Sequence, residues 1–453
     1  MHIKKLLPSL PSSVQERVRL LAAPAVWGFA LLAGAAFGSS GPALAAGPLA
    51  ALQRADDALL VHGIHVRMAL VNNFAANPVG GERQGAGVAG GVVFGADLNL
   101  ARIVSRQGAT LHVTFAQYWG RSLSSDFIGT ANKVQNYNYP FKQFELAQFS
   151  LEQKLDHDRL DLLVGRINAT AHFARTPYGC RFENALDCPL TLTDMTGGFT
   201  GFPYVNWGGR VRFQATPAIA LKAGAFEINP TRVHNSGFDW STEAATGVIV
   251  PAEIDFTAGR GTAHERRLAV GGWYNSAPYP DPFLNSNGRP RGFAGGRPLI
   301  YSGGRGGAFV EADGVVWRPQ TRSARNLALF GVTAAPFDGH ETYAFQGVVG
   351  ASATGPFAAR PHDQFNLMAA YIRFTGSEIA FLDDRLIKNG GHGGLSANQF
   401  IFEVNYAVRI RPGLFVTPVV QYIVNPDTSA DPGASSIPAN VLVVGARVVL
   451  GFR

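Results

Sequence analysis

The chain has 453 residues, of which 16% are charged and 46% are hydrophobic. Part of its formal charge of +7 is concentrated near the amino terminus, so the rest of the chain is too weakly basic to predict nucleic-acid binding. Beyond the amino-terminal region no apolar stretch is long enough to cross a bilayer as a helix, so a membrane-spanning form of this chain has to use strands.

The first part of the chain has the composition of a secretory signal peptide. Four basic residues come first, namely Lys4, Lys5, Arg17 and Arg19. An apolar run over residues 20–37 follows, and the tripeptide Ala43-Leu44-Ala45 then completes an A-x-A cleavage pattern. This order predicts that residues 1–45 direct export and are removed, with an uncleaved membrane anchor as the alternative.

The rest of the chain lacks the linkers and composition shifts that separate domains. Residues 46–62 include the amphipathic stretch PLAALQRADDALLV, which predicts a short periplasmic segment containing a helix. Residues 63–453 predict one large all-β unit, because strand-like segments of about ten residues are bounded throughout by Gly, Pro, Asn or Asp. The segments lie near residues 63–73, 87–99, 108–119, 144–155, 159–168, 206–214, 219–229, 248–256, 266–274, 304–317, 325–335, 344–354, 365–374, 400–410, 414–423 and 440–452.

The connections between these segments alternate in length. Short connections include residues 156–158, 215–218 and 411–413, and long ones include 120–143, 169–205, 275–303 and 375–399. Outer-membrane barrels combine short periplasmic turns with long external loops, and an even strand count returns both termini to the periplasm. The sequence therefore predicts a transmembrane antiparallel β-barrel of about sixteen strands in the bacterial outer membrane, surrounded by lipid and inserted by the barrel-assembly machinery.

Strand alternation predicts which side chains meet water. From Asn398 to Arg411, aromatic and aliphatic residues share one face, and the opposite face is mostly charged or amide-bearing. Because the apolar face of a barrel strand meets lipid, the other face lines the lumen. This reasoning predicts a lumen lined by Arg67, Glu152, Arg210, Arg212, Glu253, Glu403, Arg409 and Arg447. Arg166 joins the set only if Leu162 and Val164 of its strand also face inward.

Cys180 and Cys188 are the only cysteines. An even number in an exported chain predicts a disulfide, here inside the long loop over residues 169–205, with two free thiols as the alternative. No metal site is expected, because a second pair of ligands is missing nearby.

No catalytic motif is present. We find no H-E-x-x-H, no G-x-S-x-G and no phosphate-binding loop, and the Gly-rich stretch over residues 303–307 lacks a strand-to-helix setting. Paired acids such as Asp156 and Asp158 lie in turns. The sequence thus predicts neither an enzyme nor a cofactor-binding protein.

Four stretches resemble the carbohydrate-selective outer-membrane porins, the OprB-like family. They are FSLEQKLDHDRLDLLVGRINATAHFA from residue 149, AIALKAGAFEINP from residue 218, FIFEVNYAVRIRPGLFVTPVVQYIVNP from residue 400 and NVLVVGARVVLGF from residue 440. Glu152 with Gln153 match the EQ pair of that family. Arg166 matches its basic residue after VG, and Glu403 with Gln421 match its pair on the carboxyl-terminal strands.

The resemblance implies a sixteen-stranded barrel that passes glucose and similar sugars by diffusion, with loops folded inward and arginines and acids at the narrowing. A nonspecific or anion-preferring porin is the alternative, because several of the predicted lumenal residues are arginines. A soluble sugar-binding β protein is a third hypothesis. The oligomeric state stays open.

Overall fold

The computed structural model of the chain describes residues 56–139 and 142–452. The predicted signal peptide and residues 46–55 lie outside this part. Residues 56–60 are helical, as expected for the segment before the barrel. The carboxylate of Asp56 accepts the backbone N–H of Val66 at 2.8 Å, and this contact ties the helix to the first strand.

Sixteen antiparallel strands form a closed barrel in which neighbours in sequence are neighbours in space. Closure is made by the pairing of the first strand with the last, from Met68 opposite Phe452 to Gly81 opposite Ala439. The predicted all-β barrel of sixteen strands is confirmed. The barrel strands are β1 (Ile64–Gly81), β2 (Gly85–Asn99), β3 (Ala109–Gly120), β4 (Phe144–Leu155), β5 (Leu160–Ile167), β6 (Asn206–Gln214), β7 (Ile219–Ile228), β8 (Gly247–Ala258), β9 (Arg266–Asn275), β12 (Arg305–Trp317), β13 (Asn326–Pro336), β14 (Tyr343–Thr354), β15 (Gln364–Phe374), β16 (Asn398–Arg411), β17 (Leu414–Val424) and β18 (Ala439–Phe452).

Two further strands lie outside the barrel. β10 (Tyr279–Asn285) and β11 (Pro298–Tyr301) form a small antiparallel sheet within the connection between β9 and β12, which the sequence reasoning treated as a loop. These strands were not predicted because they contain several prolines, and proline usually interrupts the hydrogen bonding of a β-sheet.

The long connections collect at one end of the barrel, here called the loop end, and the opposite end carries the short turns. The first hairpin departs from this rule, since residues 82–84 suffice at the loop end while residues 100–108 at the turn end contain the helix Leu100–Val104. β1 also runs beyond the predicted end at residue 73, and Asn73 and Asn77 on its inward face are buried and hydrogen-bonded there. Asn73 Nδ2, for example, donates to Asn136 Oδ1 at 3.0 Å.

Burial along the strands follows the predicted alternation. In β8, Val248 is 44% exposed and Val250 is 47% exposed, whereas Ile249 between them is fully buried. Exposed apolar side chains on the outer face are what a lipid-facing surface requires, and the buried face is turned towards the lumen.

Few helices accompany the strands. The longest is Gly376–Lys388, which begins where the Thr375 side chain accepts the backbone N–H of Glu378. Its Leu382 and Leu386 pack with Leu395 over the loop end. The other short turns of helix are Arg291–Ala294, Ala169–Ala171, Gly179–Arg181, Pro230–Val233, Ser124–Ile128 and Thr193–Gly197. No helix in the described residues is long and apolar enough to cross a membrane.

Candidate functional site

A band of charged side chains crosses the inner wall of ten neighbouring strands, β1 to β9 and β12. Each of these strands contributes at least one inward charge or histidine. The band consists of Arg67, Asp97, His112, Glu152, Asp161, Arg210, Arg212, Lys222, Glu253, Asp255, Arg267, Glu311 and Asp313. Acidic residues outnumber basic ones among them, so the wall does not carry a net positive charge.

The first half of this charged band is a chain of polar contacts from strand to strand. Arg67 Nη2 lies 2.8 Å from Asp97 Oδ1, which is also 2.7 Å from His112 Nδ1. Arg210 then joins Glu152 at 3.7 Å and Asp161 at 2.9 Å. The guanidiniums of Arg67 and Arg210 thus contact carboxylates on other strands, whereas that of Arg212 donates to the Gln214 side chain at 2.6 Å.

The second half is more densely paired. Arg267 contacts four acids, with distances of 2.9 Å to Glu253, 2.7 Å to Asp255, 2.6 Å to Glu311 and 3.6 Å to Asp313. Lys222 Nζ lies 2.5 Å from Glu253 on the other side. The Glu253 and Glu311 side chains are fully buried beneath these cations, whereas the guanidinium of Arg267 remains partly exposed. In this half of the band the cationic groups are therefore partly exposed to water, and the carboxylates beneath them are buried.

The long connection between β5 and β6, residues 168–205, folds into the barrel, and we call it the constriction loop. The carboxylate of Glu403 on β16 accepts the backbone N–H groups of Glu183 at 2.9 Å and Asn184 at 2.8 Å. Arg447 on β18 donates to the carbonyls of Cys180 at 3.0 Å and Phe182 at 3.1 Å. These buried polar contacts fix the middle of the loop against the inner wall.

A disulfide and apolar packing complete this attachment. Cys180 and Cys188 are bonded, with their Cα atoms 4.9 Å apart, and enclose the segment that Glu403 and Arg447 hold. Buried loop side chains such as Phe182 pack against inward side chains of the wall such as Phe330, with ring centroids 5.8 Å apart. The loop is therefore a fixed part of the interior.

The start of the constriction loop faces the charged band. Lys222 Nζ donates to the carbonyl of His172 at 3.2 Å, and the backbone N–H of Arg175 donates to Glu311 at 2.7 Å. Burial, together with the nearby cations Arg210, Lys222 and Arg175, lowers the pKa of His172 to about 3, so its imidazole is neutral. The side chain of Arg175 is exposed. The constriction loop and the band are thus brought to within hydrogen-bonding distance of each other.

The nine residues expected to line the lumen lie in different parts of the barrel. Arg67, Glu152, Arg210, Arg212 and Glu253 lie together in the charged band. Glu403 and Arg447 are on the inner wall but hold the constriction loop. Arg409 lies apart from both groups on the inward face of β16, near the turn end, where its backbone N–H donates to Asp363 at 2.9 Å.

Arg166 does not meet the condition set for a lumenal position. Val164, on the same face of β5, is 57% exposed on the outside of the barrel. Arg166 shares that face but is only 1% exposed, because it contacts Glu227 at 3.8 Å and the ring of Trp207 at 5.7 Å. Trp240 of the next loop packs on Trp207 with ring centroids 5.6 Å apart. Arg166 thus belongs to a covered ion pair on the outer wall.

The predicted lumen lining included five of the thirteen residues of the charged band. Arg267, Glu311 and Asp313 share a parity with inward residues of β9 and β12, so a stricter count of alternation would have found them. His172 and Arg175 could not have been found in this way, because they lie in a loop without strand periodicity.

A closed sixteen-stranded barrel with an apolar outer face, a charged lumen and an inward loop defines a porin of the bacterial outer membrane. The sequence model of one porin family, described as "Carbohydrate-selective porin, OprB family", matches residues 83–452. The chain belongs to this family.

Individual relatives agree with this assignment. The chain is 26% identical to Porin B of Pseudomonas aeruginosa over 418 residues, which cover 87% of this chain and 88% of that protein. It is 22% identical to "Putative porin QuiX" of Acinetobacter baylyi over 378 residues, with coverage of 75% and 78%. The high-pH structure of Pseudomonas putida OprB superposes with a TM-score of 0.79 at 25% identity, covering 88% of this chain and 97% of that one.

Proposed function

We propose that neutral sugars cross the outer membrane through this barrel by passing between the constriction loop and the charged band. The observation that carries the proposal is the mutual pairing of the charges on the wall, where Arg210 and Arg267 each contact at least two acids. Donors from guanidiniums and acceptors from carboxylates can exchange hydrogen bonds with sugar hydroxyls, and neither sign of charge dominates.

Flux requires that this binding be weak. A dissociation constant in the millimolar range corresponds to about −4 kcal/mol, which biases entry without blocking the channel. Because the band charges already have partners on the wall, a sugar competes with existing contacts and gains little net energy. The proposed lining of the passage on the wall is Arg67, Glu152, Arg210, Arg212 and Glu253. Arg175 of the constriction loop is proposed to line the passage on the opposite side.

The anion-preferring alternative is less well supported. It requires a positive lumen, but two of the arginines that suggested it are paired with acids, Arg67 with Asp97 and Arg210 with Asp161. Three further acids, Asp255, Glu311 and Asp313, surround Arg267 on the same wall. Arg447 is moreover engaged with loop carbonyls.

We further infer that residues 1–45 are removed on export, that residues 46–62 remain as a short periplasmic segment, and that the barrel-assembly machinery inserts residues 63–453 among outer-membrane lipids. The supporting features are the A-x-A pattern and the apolar outer face of the strands. We also infer that the chain catalyses no reaction. Its family and fold are those of a channel.

The test is a double substitution, Arg210→Ala with Arg212→Ala, in the full protein in planar bilayers. We expect glucose to block the ion current more weakly, by roughly three- to tenfold in its apparent binding constant. Cation permeability should rise together with this loss, because both guanidiniums leave the same wall. The matched control, Arg260→Ala with Arg266→Ala, removes two exposed charges at the turn end and should change neither. Altered ion selectivity with unchanged glucose block would favour a nonspecific porin.

A further inference from the structure

Two neighbouring connections at the turn end carry an excess of positive charge. They are residues 259–265 between β8 and β9 and residues 318–325 between β12 and β13, and these four strands adjoin in the barrel. Together with the first residue of β9 they contain five arginines and one glutamate, a net charge of +4 with histidine neutral. We call these arginines the basic rim, and they are Arg260, Arg266, Arg318, Arg322 and Arg325.

The charge of the basic rim is not neutralised within the described part of the chain. None of its arginines forms an ion pair with another described residue, and the nearby Glu265 instead accepts the backbone N–H of Gly261 at 2.9 Å. The turn between β4 and β5 differs, because its Arg159 lies 3.4 Å from Asp156. The positive charge of the basic rim is therefore available to an anionic ligand.

Arg266 lies on the outer face of the barrel, where the apolar surface of β9 ends. It is exposed and has the same strand parity as Leu268, an outward side chain that is 43% exposed. A Cβ atom placed on Gly314 of β12 would lie 2.9 Å from Arg266 Cγ. The stem of Arg266 thus crosses the bare backbone of Gly314 and points towards β12.

Arg325 approaches β12 from the other side. Its guanidinium carbon lies 5.7 Å from the ring centroid of Trp317, the last residue of β12, which is 45% exposed. Arg325 Nε donates to the carbonyl of Gly355 at 2.9 Å, and this bond fixes the guanidinium beside the indole ring. Its two Nη atoms have no acceptor among the described residues, so they remain available to a ligand.

This arrangement is typical of the boundary between lipid chains and headgroups. Tryptophan is enriched at that boundary in membrane proteins, and arginine stems lie along apolar surface while their guanidiniums reach the headgroups. The strands that carry the two arginines, β9 and β13, are separated by β12 and are thus roughly 10 Å apart. Two arginine side chains can therefore contact one headgroup placed between them.

We propose that Arg266, Trp317 and Arg325 form a binding site for an anionic phospholipid, phosphatidylglycerol. The turn end is periplasmic in an outer-membrane porin, so the site faces the inner leaflet. Guanidiniums bind phosphate oxygens through paired N–H donors, and the indole ring packs on the upper part of the acyl chains. The charge of the basic rim favours this headgroup over that of phosphatidylethanolamine, whose ammonium group it repels. A water-soluble anionic polymer would make no use of Trp317 and the apolar wall beside it.

The test is native mass spectrometry of the full protein in detergent, titrated with phosphatidylglycerol or phosphatidylethanolamine. The unsubstituted protein should bind one phosphatidylglycerol in preference to phosphatidylethanolamine. Arg266→Ala with Arg325→Ala should weaken the apparent affinity for phosphatidylglycerol by roughly fivefold for each arginine removed. The matched control is Arg106→Ala with Arg159→Ala, which removes two exposed arginines from the connections that follow β2 and β4 and should leave this affinity unchanged.

Three results would overturn the lipid site. One is equal affinity for the two lipids, or an unchanged preference in the double variant. Another is displacement of phosphatidylglycerol by inorganic phosphate at similar concentrations, since the basic rim would then bind the ion alone. The third is sedimentation with peptidoglycan that the double substitution abolishes while lipid binding persists, which would assign the basic rim to the cell wall. If the double variant does not fold, Arg266→Gln alone should lose roughly fivefold in affinity.

Discussion

Replacing Glu403 by alanine should release the constriction loop. The carboxylate accepts two backbone N–H groups of the loop, those of Glu183 and Asn184, and also the Asn405 side chain at 2.8 Å. Each buried N–H left without an acceptor costs about 1–3 kcal/mol, so the two together should weaken docking of the loop by about 2–6 kcal/mol. The remaining contacts of Arg447 and the apolar packing then have to hold the loop alone.

The assay is single-channel recording of the purified protein. A loosened loop should give larger mean conductance, frequent transitions between conductance levels and weaker glucose block in Glu403→Ala. Glu403→Gln keeps one acceptor oxygen and should show a smaller effect in the same direction. Glu243→Ala, at an exposed loop position, is the control and should behave as the unsubstituted protein. Quiet channels of normal conductance in Glu403→Ala would refute the reasoning and show that apolar packing alone fixes the loop.

Two further predictions concern the same loop. Burial and the nearby Glu403 carboxylate raise the pKa of Glu183 well above its ordinary 4.5, so the docked loop holds a proton that the released loop loses. Docking of the loop should therefore weaken as the pH rises from about 4.5 through the raised pKa of Glu183. Glu183→Gln should make channel noise less dependent on pH, and an unchanged pH dependence in this variant would contradict the prediction. Removing the disulfide, with Cys180→Ser and Cys188→Ser, should destabilise the loop by about 2–3 kcal/mol on chain-entropy grounds. Faster protease cleavage within the loop would report it, and equal cleavage rates with and without the bridge would argue against it.

The barrel was predictable from the sequence because each strand carries its own signal. Alternation over about ten residues depends only on the two environments that the strand separates, so it can be recognised without knowing which strands lie beside it. Alternation also placed Glu403 and Arg447 on the inner wall. It failed for Arg166, whose strand has two nearly equally apolar faces and whose charge is hidden by contacts with Glu227 and Trp207 that lie far away in sequence.

The interior was harder to predict for a physical reason. Glu403 and Arg447 form hydrogen bonds with backbone groups of the constriction loop. Because backbone groups are chemically alike in nearly every residue, the sequence does not indicate which of them these two side chains contact. These contacts depend on how the loop folds inward, which no local pattern records.

The charged band has a consequence for how such a channel can change over generations. Its charges stand on ten adjoining strands whose spacing is fixed by the hydrogen bonds of the sheet, about 4.8 Å from one to the next. Each strand supplies its own side chains to the band, and substituting one of them leaves the positions of the others unchanged. In the proposed passage, a lineage can therefore alter which sugar is retained through single substitutions at positions such as Arg67 or Asp161, while the constriction loop keeps its attachment to Glu403 and Arg447.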